Sequence, residues 1–180
     1  MKIKGKKLSP IKTVCLILYY SFAQYLPESG KLFNLGGWLR YHLCKHIFLK
    51  CGKHVNIERK AWFGSGAGIE IGDYSGIGIN AHIPSDTKIG QYVMMGPNCF
   101  ILDVNHEFSS VDTPMCYQGH AKRKQTIIED DVWIGRDVSF TPGRHVKTGT
   151  IIAMSCILTK DFPEYSIVGG NPSVLIKSRI

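Results

Sequence analysis

From position 51 onward an apolar residue returns at every sixth position. The series runs Cys51, Ile57 and Phe63, slips by two residues, and continues as Ile71, Ile77, Ile83, Ile89, Met95 and Ile101. After one break it restarts as Ile128, Ile134, Phe140, Val146, Ile152 and Leu158. Every one of these register positions is apolar in a chain that is only 44% hydrophobic. Four residues after most of them the side chain is small or β-branched: Val55, Ala61, Ala67, Ser75, Ala81, Thr87, Val93, Cys99, Val132, Val138, Thr150 and Cys156. Glycine often follows the large residue, as in Ile71-Gly72, Ile77-Gly78, Ile89-Gly90, Met95-Gly96 and Ile134-Gly135. A period of six is neither the 3.6 of a helix nor the 2 of a flat strand. Glycine at that density would cost a helix about 1 kcal/mol per site.

A chain that turns a corner every six residues satisfies the pattern, with a large side chain inward near each corner and a small one where the walls converge. Three such sides close a coil of eighteen residues, which stacks Ile71 on Ile89, Ile77 on Met95, Ile128 on Val146 and Ile134 on Ile152. Parallel strands about 4.8 Å apart then bond rung to rung. About five rungs fit between 51 and 163, so the expected fold is all-β: a three-sided parallel β-helix over 51–163, with a C-terminal extension over 164–180.

Residues 1–50 read differently. Pro10, Pro27 and Gly36-Gly37 punctuate them, predicting helices over about 11–25 and 37–49. Residues 1–53 hold ten Lys/Arg against the single acid Glu28, a balance of +9, while the remainder holds twelve against thirteen, so the whole +8 lies at this end. The apolar run Val14 to Leu26 lacks a small-residue cleavage site and falls short of the roughly 20 residues that span a bilayer, which argues against export and against spanning. Two readings stay open: the helix docks on the body of the protein, or it lies on an anionic membrane face or a neighbouring subunit. The lysines come without a helix-turn-helix, RNP-like or zinc-finger pattern, so no nucleic-acid partner is expected. Six scattered cysteines in a chain this long read as reduced thiols and a cytoplasmic location, with the inner face of the membrane as the place the basic segment would add.

The break carries the chemistry. The register would next fall at 107, yet resumes at 128, so 107–127 is expelled as a loop, and loops of this length inside compact domains are usually functional or disordered. It opens with Asp103-Val104-Asn105-His106-Glu107-Phe108 and carries Tyr117, His120, Lys122, Arg123 and Lys124. His106, at the lip of a regular wall, is the candidate base. His82 and His145 fall in outward repeat slots, and His120 has no motif. The spacings of His42, His46, His54, Cys44 and Cys51 match no zinc pattern, so no metal is expected. Cys99 and Cys156 fall in inward slots that make inert thiols, and Cys116 is the loop cysteine. Gly64-Ser65-Gly66-Ala67-Gly68 lacks the strand-to-helix context of a dinucleotide loop.

The Ile-Gly-x-x-small-x repeats, the His106 segment, Asp131-Val132-Trp133-Ile134-Gly135, Leu158-Thr159-Lys160-Asp161-Phe162-Pro163, and Val168-Gly169-Gly170-Asn171-Pro172 with Ile176-Lys177 together resemble the hexapeptide-repeat acyltransferases. The likeness is to their galactoside, maltose and capsular-polysaccharide O-acetyltransferase branch. The resemblance implies a left-handed parallel β-helix, His106 as catalytic base, and Asp103, Asn105 or Glu107 orienting its ring. It implies acetyl-CoA as co-substrate, held near Trp133, Arg136, Met154, Thr159, Lys160 and Lys177, and a homotrimer with each site between two subunits, walled by residues such as Trp62, Tyr74, Tyr92 and Phe100. On the acceptor side Asn80 and Tyr117 are the candidates. The sugar-gripping side chains of the galactoside enzymes do not recur around Gly78 and Ile83-Pro84, which argues against free galactosides or maltose, and the +9 segment favours a lipid-linked or nucleotide-linked glycan precursor, of polysaccharide, capsule or O-antigen type. The competing readings are an N-acetyltransferase of an amino sugar nucleotide and a non-catalytic scaffold.

Overall fold

The computed structural model describes the backbone at residues 2–3 and 6–7 and the whole chain from Ser9 to Ile180. The side chains of Lys2, Lys6 and Lys7, and Lys4 altogether, lie outside the described residues. The six-residue period becomes a parallel solenoid of five rungs built from two-residue strands. One side stacks Lys50–Cys51, Glu70–Ile71, Lys88–Ile89, Ile127–Ile128 and His145–Val146 in that order. The second side pairs Asn56–Ile57 with Gly76–Ile77, then Met94–Met95 with Trp133–Ile134 and Ile151–Ile152. The third stacks Phe100–Ile101, Ser139–Phe140 and Ile157–Leu158, preceded by bridges from Trp62 to His82 and from His82 to Phe100.

All the register positions are buried except Cys51 and Met95, which are half-buried. The two-residue slip lies at the corner between Phe63 and Ile71, where Gly64 and Gly66 take φ of +57° and +58°. Ser65 and Ile69 are buried there and Ala67 is only half-buried, so the insertion moves Ala67 out of the inward slot expected for it.

The glycines that follow the large residues sit where rungs touch. A Cβ on Gly78 would collide with the Gly96 carbonyl, and one on Gly96 would lie 2.6 Å from the Arg136 nitrogen. Two residues further on, at the same corner, Asn80, Asn98 and Asp137 hold φ of 55–59°, a left-handed region that asparagine and aspartate tolerate better than most residues. Their side chains form a ladder up the corner: the Asn80 amide donates to Asn98 (3.0 Å), and Asn98 donates to Asp137 (2.8 Å).

The helices close the lower end. Helix α1 (Pro10–Ser21) starts at Pro10, with the Ser9 hydroxyl accepting from the Lys12 amide (3.3 Å), and gives way to a 3-10 turn, Ala23–Tyr25. Helix α2 is Leu35–Ile47. It starts two residues ahead of the expected 37 and ends two short of 49, and takes in Gly36, which packs against the Pro27 carbonyl where a side chain would clash. The Tyr19 hydroxyl donates to the Ala61 carbonyl (2.8 Å) and that of Tyr20 to Gly64 (2.9 Å). Phe63 meets Tyr19, Tyr20 and Phe48 at 4.7, 5.6 and 5.0 Å between ring centroids. Arg40, fully buried, donates to the carbonyls of Ile57, Ala23, Leu26 and Pro27, with Glu58 at 3.7 Å. At the far end Ser166–Gly169 continues the second side and Val174–Ser178 folds back antiparallel on it.

Glu129 ties the last two rungs together, accepting from His145 (2.6 Å), Lys147 (3.1 Å) and the amide and hydroxyl of Thr148 (both 2.9 Å). Burial pushes its carboxyl up, but these donors outweigh that and hold it at about 2.

Two outcomes follow from these contacts. Gly78→Ala should lower the unfolding free energy by about 1–3 kcal/mol. Gly76→Ala, whose Cβ would find its nearest atom at 3.6 Å, should stay within about 0.5 kcal/mol of wild type. Chemical denaturation of the pair reads the contrast. Because the Glu129 carboxyl is depressed, its stabilisation is complete above the ordinary value of 4.5 and is lost as pH falls toward about 2. Thermal midpoints of Glu129→Gln should therefore fall less steeply than wild type across that window.

Candidate active site

The excursion leaves the wall earlier than the register count suggests. The last wall bond runs from the Leu102 amide to the Phe140 carbonyl (3.1 Å), and pairing resumes at Ile127–Ile128, so the loop is 103–126 rather than 107–127. The count marks the next missing inward side chain, whereas the backbone departs as soon as its rung partner is lost. Within the loop the chain folds back on itself. The Glu107 amide donates to Gly119 (3.1 Å) and the Ala121 amide to Asn105 (2.9 Å), bridging His106 to His120. A short helix, α3 (Met115–Gln118), lies at its outer end.

Two features hold this excursion. At its base Arg123 binds both carboxylate oxygens of Asp86 on the coil and also Asp103, and the Gln125 amide donates to the Asp86 carbonyl (2.6 Å). At its lip the rings of His106 and His120 stack with centroids 4.7 Å apart and planes 29° apart. His106 is exposed, and neither ring nitrogen is engaged by a described group. An imidazole with a nitrogen unengaged can accept a proton from an approaching hydroxyl, which is the geometry a general base needs.

Of the three candidates for orienting that ring, two are committed elsewhere. Asp103 is held by Arg123. The Glu107 carboxylate accepts from the amides of Phe108 (3.0 Å) and Ser109 (3.1 Å), which holds it below the usual carboxylate range. Asn105 meets the opposite limb through its backbone carbonyl, and its side chain makes no hydrogen bond among the described residues. The ring that touches His106 is His120, which sequence reasoning set aside for want of a motif. Only the fold-back of the loop brings the two together.

The carrier candidates divide. Trp133 is exposed on the second side, in register with Met94 and Ile151, and Lys177 extends that sheet opposite Ile167. Arg136 and exposed Met154 stack at the corner that follows, where a Cβ on Gly135 would lie 2.6 Å from the Met154 nitrogen. Arg136 also pairs with Asp137 at 3.3 Å. Thr159 and Lys160 lie one side further round. The Thr159 amide donates to the Ser173 hydroxyl (3.0 Å), and the Lys160 ammonium sits 5.5 Å over the Phe162 ring. A single chain thus gathers Trp133, Arg136, Met154 and Lys177 about one side and leaves Thr159 and Lys160 on another corner.

Other candidates are accounted for locally. The Asn80 amide is taken up by the corner ladder, and Tyr117 is exposed on α3. His82 lies between Trp62 (4.0 Å) and Phe100 (4.7 Å), where burial pulls its imidazole down. Burial pushes the Cys99 thiol up to about 11 and raises that of Cys156, so neither offers a thiolate near neutral pH. Among the described residues no three His, Cys, Asp or Glu side chains converge as a metal site.

Arg123→Ala should free the base of the excursion while leaving the coil intact. Amide exchange across 103–126 is expected to accelerate at least tenfold with little change in the thermal midpoint, since the pair is partly exposed. Unchanged exchange in the loop would show that the clamp does not hold it.

Residues 68–103 match the bacterial transferase hexapeptide (six repeats) family. Among curated relatives, a provisionally named acetyltransferase of Saccharomyces cerevisiae is 31% identical over 74% of this chain and 67% of its own length. The galactoside O-acetyltransferase of Lactococcus lactis is 26% identical over 77% and 66%. A provisionally named acetyltransferase of Mycobacterium tuberculosis is 30% identical over 73% of this chain, which spans only 44% of that relative. Two solved structures share the fold. A hexapeptide-repeat acetyltransferase from Vibrio cholerae, complexed with acetyl-CoA, superposes with a TM-score of 0.75 at 23% identity, covering 98% of this chain and 94% of that one. An N-acyltransferase from Bacillus cereus, in complex with dTDP-4-amino-4,6-dideoxyglucose and coenzyme A, gives 0.60 at 20% identity over 77% and 88%. With the five-rung coil, its single excursion and the length shared with the yeast relative, the chain belongs to the hexapeptide-repeat transferase family.

Proposed function

We propose that the protein transfers an acetyl group from acetyl-CoA to a hydroxyl of a sugar or glycan precursor, with His106 as general base. The observation that carries this reading is the position of His106, an exposed imidazole whose nitrogens meet no hydrogen-bond partner among the described residues, at the long excursion from the wall. Relatives named acetyltransferases, one of them a galactoside O-acetyltransferase, support the donor and the acceptor class. His106 takes the acceptor proton as the hydroxyl oxygen bonds to the thioester carbonyl carbon. The carbon–sulfur bond then breaks, and the proton held on His106 passes to the departing thiolate. His120 sets the plane of the ring throughout. Exposed Trp133 and Met154 suit the apolar arm of the carrier, and Lys160 and Lys177 suit its phosphates. The same reading assigns the enzyme to the cytoplasm and to a homotrimer, in which a neighbour would bring the Thr159–Lys160 corner and the Trp133 side together across one crevice.

A second reading, transfer to the amine of an amino sugar nucleotide, is favoured by the Bacillus cereus neighbour and its bound amino sugar nucleotide. One deprotonating imidazole serves either acceptor.

Thiol release from acetyl-CoA, measured over a panel of sugars, glycan precursors and amino sugar nucleotides, tests donor and acceptor together. His106→Ala should lower kcat by about 10²- to 10⁴-fold with the KM for acetyl-CoA little changed. Turnover only with amines would select the second reading. An intact thioester across the whole panel, for wild type and variant alike, would make the coil a scaffold.

A further inference from the structure

Helix α1 buries Cys15 and Tyr19, and the turn after it Ala23, against α2 and the end of the coil. Its other face is Ile11, Val14, Ile17, Leu18 and Phe22, each between 47 and 64% exposed. The spacing of Ile11, Val14, Leu18 and Phe22 makes one continuous apolar stripe along the helix. No acidic residue precedes Glu28. Ahead of α2 a second apolar group projects. Leu32, Phe33 and Asn34 hold φ of 46°, 54° and 60°, a run of left-handed backbone that leaves the Phe33 ring wholly exposed at 106%.

We propose that this end of the molecule is a lipid-binding face: α1 lies in the plane of an anionic leaflet, with its apolar stripe among the acyl chains and Phe33 as a second anchor. Charge argues for lipid as the occupant. Of the ten cations in residues 1–53, Arg40 is buried, Lys31 pairs with Glu28 at 3.7 Å and Lys50 with Glu70 at 2.6 Å. Among the described residues Lys45, Lys53 and Lys12, whose ammonium reaches the Phe48 carbonyl at 3.5 Å, make no ion pair, and the sequence adds Lys2, Lys4, Lys6 and Lys7 ahead of α1, while the rest of the chain, at −1, offers no matching field. A second copy seated through the same stripe would bring two +9 segments together. A basic residue near an anionic leaflet raises partition about fivefold, and α1 is too short to cross a bilayer, so the contact is interfacial. The inference stands apart from the acetyl-transfer reading and would hold whichever acceptor is used.

Flotation of the full-length protein with vesicles decides it. Wild type should bind phosphatidylcholine vesicles containing phosphatidylglycerol, and binding should fall at least tenfold on pure phosphatidylcholine or when salt rises from about 0.1 to 1 M, where the screening length drops from about 10 to 3 Å. Val14→Glu with Leu18→Glu should lose binding at least tenfold with an unchanged thermal midpoint, and Phe33→Ser should lose a smaller part. Equal binding by the helix variant, equal binding to neutral vesicles, or no binding by wild type overturns the proposal. If wild type stays unbound while the helix variant shifts to a smaller species in light scattering, the stripe belongs to a second copy.

Discussion

Rungs of the coil lie one strand spacing apart, about 4.8 Å, and where two corners stack directly that distance leaves no room for a side chain. Gly78 against Gly96, Gly96 against Arg136 and Gly135 against Met154 are three such approaches along one corner. The small residues at these points, the large ones pointing inward and the left-handed residues beside them are consequences of the same close stacking. Hydrogen bonds between rungs then run in register from Lys50–Cys51 to His145–Val146. A coil of this kind has no hydrophobic core in the layered sense. It has a column of aliphatic side chains, Ile57, Ile77, Ile83, Ile134 and Ile152 among them, and two open ends that something else must cover.

The lower end is covered by helices rather than by another rung. Phe63, Tyr19, Tyr20 and Phe48 fill it, and buried Arg40 satisfies carbonyls of the connection between α1 and α2 and of Ile57 on the coil. A guanidinium can do this because its five donors reach several carbonyls at once, while Glu58 offsets part of its burial. Docking α1 through so narrow a strip, however, leaves most of its apolar surface outside.

The same stacking bears on why the proposed base comes from the interruption. Along the stacked strands the backbone groups are taken up by the neighbouring rung, so a side chain that must reach away from the wall is most easily supplied by a segment that the repeat has released. Arg123, between Asp86 and Asp103, returns that segment to the wall, and the His106–His120 stack stiffens its lip. His106 is thereby presented on a loop that is itself pinned at both limbs.

The linear order of residues by itself determined the coil. A six-residue period, the small residues between its large members and the glycines beside them are local facts, and they located the five rungs, the slip near Gly64–Gly68, the two helices and the break that contains His106. It left open which face α1 would turn toward the coil, since both faces are apolar and only the shape of the open end selects Tyr19 over Leu18. It could not show that Arg40 is buried, that Asp103 and Glu107 are engaged away from His106, or that His120 stacks on it. Those contacts join residues distant in sequence with no periodic relation, and they exist only once the loop has folded back and the helices have closed the end, because hydrogen-bond partners and ring stacking depend on spatial neighbours that spacing does not encode.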